Sequence, residues 1–176
     1  AYGDEEVASD GSLHVVTATF SAGANKLGDV NNAITYVRST DGGKSFSSVV
    51  SVEEASEPTA YYFSNPQVAY NPSTSRTFVV YPAGGPDGAW SIRLATSTDG
   101  GASWSRITVN DDAPCANHAT PTIVLDESTG KVHIAWLENR GGVGAVAYTS
   151  CNPDGAQCAP NQAVSLAMAL ALRIWV

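Results

Sequence analysis

Carboxylates, a histidine, an arginine and paired tyrosines gather in a few short stretches of this chain. Asp111-Asp112 offers two neighbouring carboxylates, the group that acid/base cleavage of a glycosidic bond uses in pairs; the competing reading is a pair of solvated turn acids. His118, Glu138 and Arg140 follow further along. Tyr61-Tyr62-Phe63 is an aromatic run suited to stacking on sugar faces, or to covering a seam between packed sheets. Two octets concentrate Ser, Thr, Asp and Gly: Ser39-Thr40-Asp41-Gly42-Gly43-Lys44-Ser45-Phe46 and Ser97-Thr98-Asp99-Gly100-Gly101-Ala102-Ser103-Trp104. A calcium loop of the EF-hand kind needs oxygen donors at alternate positions and a distal Glu, and neither octet has them. In a strand-to-strand turn, Asp41 and Asp99 would instead accept backbone N–H groups a few residues ahead. The glycines would supply positive φ, and Phe46 and Trp104 would pack back on the hairpin.

The octets are identical at six of eight positions and start 58 residues apart, which points to a repeat architecture. Three units emerge around them. Each has two β-type runs joined by a tight turn, then a loop, then a third strand that leads into the octet. The second strands are Leu13–Ala18, Thr77–Tyr81 and Val132–Trp136, which places His14, Phe78 and His133 at one repeat position. The third strands, Ile34–Arg38, Ile92–Thr96 and Ala145–Thr149, run into Ser39, Ser97 and Ser150. Fourth strands follow the first two octets at 48–52 and 105–109. The runs are rich in β-branched and aromatic residues and punctuated by Gly, Pro, Asn and Asp, so the class is all-β. The units span 1–55, 56–110 and 111–165. In the third, Asn152 takes the Asp position. An apolar tail, 166–176, mixes a period-2 pattern with helix-forming residues.

Composition narrows the functions. The net charge is −8, with nine Lys and Arg and no basic run, which opposes nucleic acid and anionic membrane surfaces. The longest apolar run, Leu166–Leu172, is far short of the roughly 20 residues a membrane helix needs. The chain opens on Ala1 without a signal-peptide pattern, as a processed form or a fragment would. Of three cysteines, Cys151 and Cys158 flank a turn sequence and are expected to form a local disulfide. Cys115 is left over, and no metal-ligand spacing and no cofactor motif occurs.

Ser-x-Asp-x-Gly-x-x-Trp/Phe after a strand resembles the Asp-box, or bacterial neuraminidase, repeat of sialidase-like β-propellers. That resemblance implies about three four-stranded antiparallel blades of an incomplete ring. It also implies that the boxes (Ser39, Asp41, Gly43 and Phe46; Ser97, Asp99, Gly101 and Trp104) lie opposite the ligand face. A four-stranded meander puts 21–32, 53–66, 83–89, 111–121 and 138–144 on that other face. Tyr61, Tyr62, Asp111, Asp112, His118, Glu138 and Arg140 are its candidate ligand residues. His14 and His133, inside strands, are expected to pack. Sialidases need three arginines converging on a substrate carboxylate, an Arg-Ile-Pro segment and a Tyr–Glu pair. Only Arg140 falls clearly on the ligand face, and Arg173-Ile174 is followed by Trp175. The expected function is therefore a secreted, extracellular or periplasmic, non-catalytic segment for glycan or surface recognition or assembly. The alternatives are a fragment of a sialidase-like glycoside hydrolase and a structural subunit of an extracellular assembly. Three blades cannot close a ring, so further blades or self-association are expected to cover the open faces.

Overall fold

The computed structural model describes residues 2–20, 31–54, 62–63, 65–84, 89–112, 116–139 and 144–165. Tyr61, Cys115, Arg140 and the tail 166–176 lie outside them, as does the side chain of Tyr62. Blade 1 is an antiparallel meander of β1 (Tyr2–Val7), β2 (Leu13–Phe20), β3 (Asn31–Ser39) and β4 (Val50–Glu54). Blade 2 contains β5 (Tyr62–Phe63), β6 (Gln67–Asn71), β7 (Arg76–Gly84), β8 (Trp90–Ser97) and β9 (Ser105–Thr108). There β5 and β6 pair with different stretches of β7 and share one lane of the sheet. Blade 3 is β10 (His118–Leu125), β11 (Val132–Glu138), β12 (Ala145–Cys151) and β13 (Gln162–Ser165). The first strands β1, β6 and β10 lie side by side.

Each first turn is tied in the same way. Asp10, Asn71 and Asp126 accept the backbone N–H and the hydroxyl of the serine two residues on, at 2.9 and 2.6 Å, 3.1 and 2.6 Å, and 2.9 and 2.6 Å. These Asx turns compete successfully with strand extension, and they fix where β1, β6 and β10 stop.

Two apolar layers lie between three sheets. Val16, Ala18, Ile34, Tyr36 and Val52 of blade 1 pack against Val68, Val79, Tyr81, Ala83 and Ala95 of blade 2. Phe78, Val80, Ile92, Leu94 and Val109 on the other face of blade 2 pack against Ile123, Ile134, Trp136 and Ala147 of blade 3. The strand sequences reflect this. In β7 the continuous run Thr77–Gly84 is buried at every position, as a sheet covered on both faces requires. In β2 and β11 burial alternates, as in sheets with one face covered.

Three differences from the sequence-based expectations have physical causes. The first strand of blade 1, which the sequence places at Val7-Ala8-Ser9 before the Asp10-Gly11 turn, is Tyr2–Val7, because its polar Asp4, Glu5 and Glu6 still complete a ladder with β2. His118 is the first residue of β10 and is buried, not on an exposed loop. In the third unit Cys151, not Ser150, occupies the position of Ser39 and Ser97. The register pairs Leu13 with Ser39, Thr77 with Ser97 and Val132 with Cys151. Gly155 and Cys158 then align with Gly101 and Trp104, and the Cys151–Cys158 disulfide (S–S 2.00 Å) spans the turn that Ser and Asp tie elsewhere.

Candidate functional site

The box turns hold themselves. Ser39 Oγ donates to Asp41 (2.8 Å) and accepts the Gly43 N–H (2.9 Å), while Asp41 accepts the N–H (2.9 Å) and hydroxyl (2.6 Å) of Ser45. Ser97, Asp99, Gly101 and Ser103 repeat the set at 2.8, 2.9, 2.9 and 2.5 Å. Hydrogen bonds from Ser45 and Ser103, first among several, hold the Asp41 and Asp99 carboxyls down to about 2. Both carboxylates are thus engaged in their own turns, and they lie at the opposite end of the strands from the residues described next.

At the other end of the strands, three polar side chains converge between blades 2 and 3. His118 opens β10, Glu138 closes β11, and Asp112 lies in the connection from β9 to β10. One donor atom from each lies within 4.8 Å of the others. Imidazole Nε2 of His118 stands 3.1 Å from Asp112 and 3.8 Å from Glu138. Its Nδ1 is hydrogen-bonded to the Trp90 carbonyl at the start of β8. A carbonyl only accepts, so Nδ1 carries a proton and Nε2 is turned toward the carboxylates. Asn110 braces the arrangement, donating to Asp112 (3.0 Å) and accepting the Ile92 N–H (2.9 Å). All three side chains of the cluster are buried.

Local backbone explains how His118 comes to point inward. The β10–β11 register shifts between Ala119 and Thr122, and Thr120 has φ 46, a left-handed value uncommon for a β-branched residue. Such bulges re-aim neighbouring side chains. Asn65, at the same repeat position in blade 2, has φ 42, so the kink belongs to the repeat. Next to the cluster, Asn117 and Asn139 bond one another, the Asn117 N–H meeting the Asn139 side chain at 2.7 Å.

A second polar group sits at the seam of blades 1 and 2. Glu53 at the end of β4 accepts the Tyr81 hydroxyl and pairs with Arg93. Tyr81 is fully buried, and burial first, then the Glu53 charge, push its phenol well above the usual range. Both seams thus carry a carboxylate, Glu53 from the end of the fourth strand of blade 1 and Asp112 from the connection after the fourth strand of blade 2.

Of the sequence candidates, Asp112, His118 and Glu138 come together. Asp111 does not join them. Its N–H donates to Asn161 and its carboxylate accepts the Asn161 N–H, each at 2.8 Å, beside a cleft of about 370 Å³ lined by Ile107, Asn110, Cys158 and Pro160. His14 packs within the blade 1–2 layer, bonded to Tyr36 (2.6 Å) and stacked on Tyr70 (4.0 Å). Sequence reading missed Trp90, Asn110 and the Glu53–Tyr81–Arg93 group. The hint was a charge, Arg93, within an otherwise apolar strand.

An imidazole nitrogen and two carboxylates also form a donor set that first-row divalent metals accept. Their spacing along the chain matches no metal motif.

No family model matches the sequence, and no curated protein matches it. Solved structures do resemble the fold. An α-L-arabinanase from Penicillium chrysogenum superposes with a TM-score of 0.64 at 15% identity, over 92% of this chain and 48% of its own. A protein of unknown function from Dyadobacter fermentans gives 0.67 at 16%, over 92% and 50%. An exo-β-1,3-galactanase from Clostridium thermocellum gives 0.64 at 15%, over 90% and 36%. The chain spans about half the length of these structures or less. Such identities speak to fold alone, and the fold is an all-β, partial β-propeller of three antiparallel blades.

Proposed function

We propose that this chain is a secreted propeller segment that binds glycans through its inter-blade face without cleaving them. The observation that carries the reading is the buried Asp112–His118–Glu138 cluster, gathered from three elements at the end of the inner strand β10. Buried polar groups of this kind, braced by Asn110 and the Trp90 carbonyl, are costly to assemble without a task. Here the cluster would hold the rim of the seam rigid, so that the groups around it can orient sugar hydroxyls. Similar folds in an arabinanase and an exo-galactanase add a carbohydrate ligand by fold-level analogy alone. A disulfide is at home in an oxidising compartment, which supports secretion.

The non-catalytic part rests on carboxylate spacing. Hydrolytic pairs stand about 5–5.5 Å apart for retention and about 6.5–9.5 Å for inversion. Asp112 and Glu138 close on one imidazole with donor atoms within 4.8 Å, nearer than either hydrolytic spacing, and both are turned to His118. Titration calorimetry with arabino- and galacto-oligosaccharides tests the reading. Binding weakened at least tenfold by Asp112→Asn, unchanged by Asp41→Asn in the box turn, and free of product is expected. Release of reducing sugar would instead establish the hydrolase alternative, and absence of binding across a glycan array would remove the reading.

A further inference from the structure

The repeat shows what each blade presents to the next. On its leading face, blade 1 offers His14, Val16, Tyr36 and Val52, and blade 2 meets them with Val79, Tyr81 and its box turn. Trp104 of that turn packs edge-on against Tyr36 (5.3 Å), and Gly101 lies so close that a Cβ there would stand 2.3 Å from the Tyr36 ring. The next junction repeats the arrangement. Gly155 abuts Phe78 and Thr96 of blade 2, and Cys158 packs into the layer between blades 2 and 3.

The same positions are bare at the two ends. Val52 and Val109 are 0% and 4% exposed, while Val164, their counterpart in blade 3, is 64% exposed. Ala69 is 4% exposed and its counterpart Val124 is 62% exposed. Beside them Tyr148, the counterpart of Tyr36, keeps the histidine partner, with its hydroxyl 2.7 Å from His133. Blade 1 is bare on its other side. Val7 is 69% exposed where Tyr70 is 7%, Phe46 is 50% exposed where Trp104 is half-buried, and a Cβ at Gly43 would meet nothing within 4 Å. Blade 3 therefore presents an acceptor face, with the Tyr–His pair and an open apolar floor. Blade 1 presents a donor corner, with a positive-φ glycine and an aromatic ring three residues on. Each lacks what the other supplies.

The structure assigns the leading face of blade 3 as a docking surface for the box corner of blade 1 from a second copy of this chain. Phe46 would take the place of Trp104 against Tyr148, and Gly43 the place of Gly101. The contact is heterologous, and two such contacts close a two-copy ring. Length agrees, since the chain spans 48–50% of two similar folds, so two copies supply the strand content of one.

Sedimentation of the 176-residue chain tests this with two surface variants that leave the buried layers untouched. The intact chain at tens of micromolar is expected to sediment as a dimer. Phe46→Lys, dead on the donor side, and Val164→Lys, dead on the acceptor side, should each weaken self-association at least tenfold. Their equimolar mixture should recover a dimer, because one intact donor then meets one intact acceptor. A monomeric intact chain overturns the assignment, as would association that both variants leave unchanged or a mixture that stays monomeric. Any of these outcomes would leave the faces to a different blade or a different partner.

Discussion

Glu6 and His14 stand opposite one another in the β1–β2 ladder and titrate in opposed senses. Burial pushes the Glu6 carboxyl up to about 7, and burial pulls the His14 imidazole down to about 4. One Glu6 oxygen is buried with no hydrogen-bond partner among the described residues. Between the ordinary carboxylate value and about 7, the folded chain keeps a Glu6 proton that the unfolded chain has lost, so stability falls as pH rises. Between about 4 and the ordinary imidazole value, the unfolded chain holds a His14 proton that the folded chain lacks, so stability rises with pH. From pH 4.5 to 6.5 the two slopes oppose. Urea midpoints should therefore change little in that window for the native sequence. They should rise with pH in Glu6→Gln and fall with pH in His14→Phe, and parallel slopes in the two variants would contradict the account. The packing of His14 was legible because Phe78 shares its repeat position. Its titration was not, since it depends on Tyr36 and Tyr70 closing over the ring from two other strands.

The box turns separate local from tertiary effects at the level of the element. Gly43 and Gly101 both have positive φ, 85° and 92°, and both donate their N–H to the box serine. A side chain at either costs about 1–3 kcal/mol for its backbone conformation. Only at Gly101 would it also strike the Tyr36 ring, which is buried and held by His14. Gly101→Ala should thus lose at least about 1 kcal/mol more stability than Gly43→Ala, as overpacking of a fixed neighbour requires. Equal losses in denaturant titrations would show that Gly101 is conserved between the octets for its turn alone. These turns were legible in sequence because the serine and aspartate ties in them join residues within four positions. The register of the third was not: Ser150 looks like the box serine, and only strand pairing reveals Cys151 there. The Glu53–Tyr81–Arg93 group was hidden for a related reason, its members lying on three strands of two blades.

For the whole molecule, the repeat made the fold class readable, and the sorting of loops to one end put Asp112, His118 and Glu138 on one face from sequence alone. What sequence did not carry was their convergence, which needs the bulge at Thr120 and the Trp90 carbonyl of the neighbouring blade. No helix among the described residues is long and apolar enough to cross a membrane. The alternation of a twice-covered middle sheet with two half-covered outer sheets makes the seams the places where distant parts of the chain meet. A ligand at the blade 2–3 seam should perturb that seam and leave the box end alone. The most direct measurement follows backbone amide resonances while an arabino- or galacto-oligosaccharide is added. Saturable shifts centred on Trp90, Asp112, His118 and Glu138, with the amides of 39–46 and 97–104 unmoved, are the predicted result. Shifts centred on the box turns, or none at millimolar sugar, would contradict glycan recognition at this face.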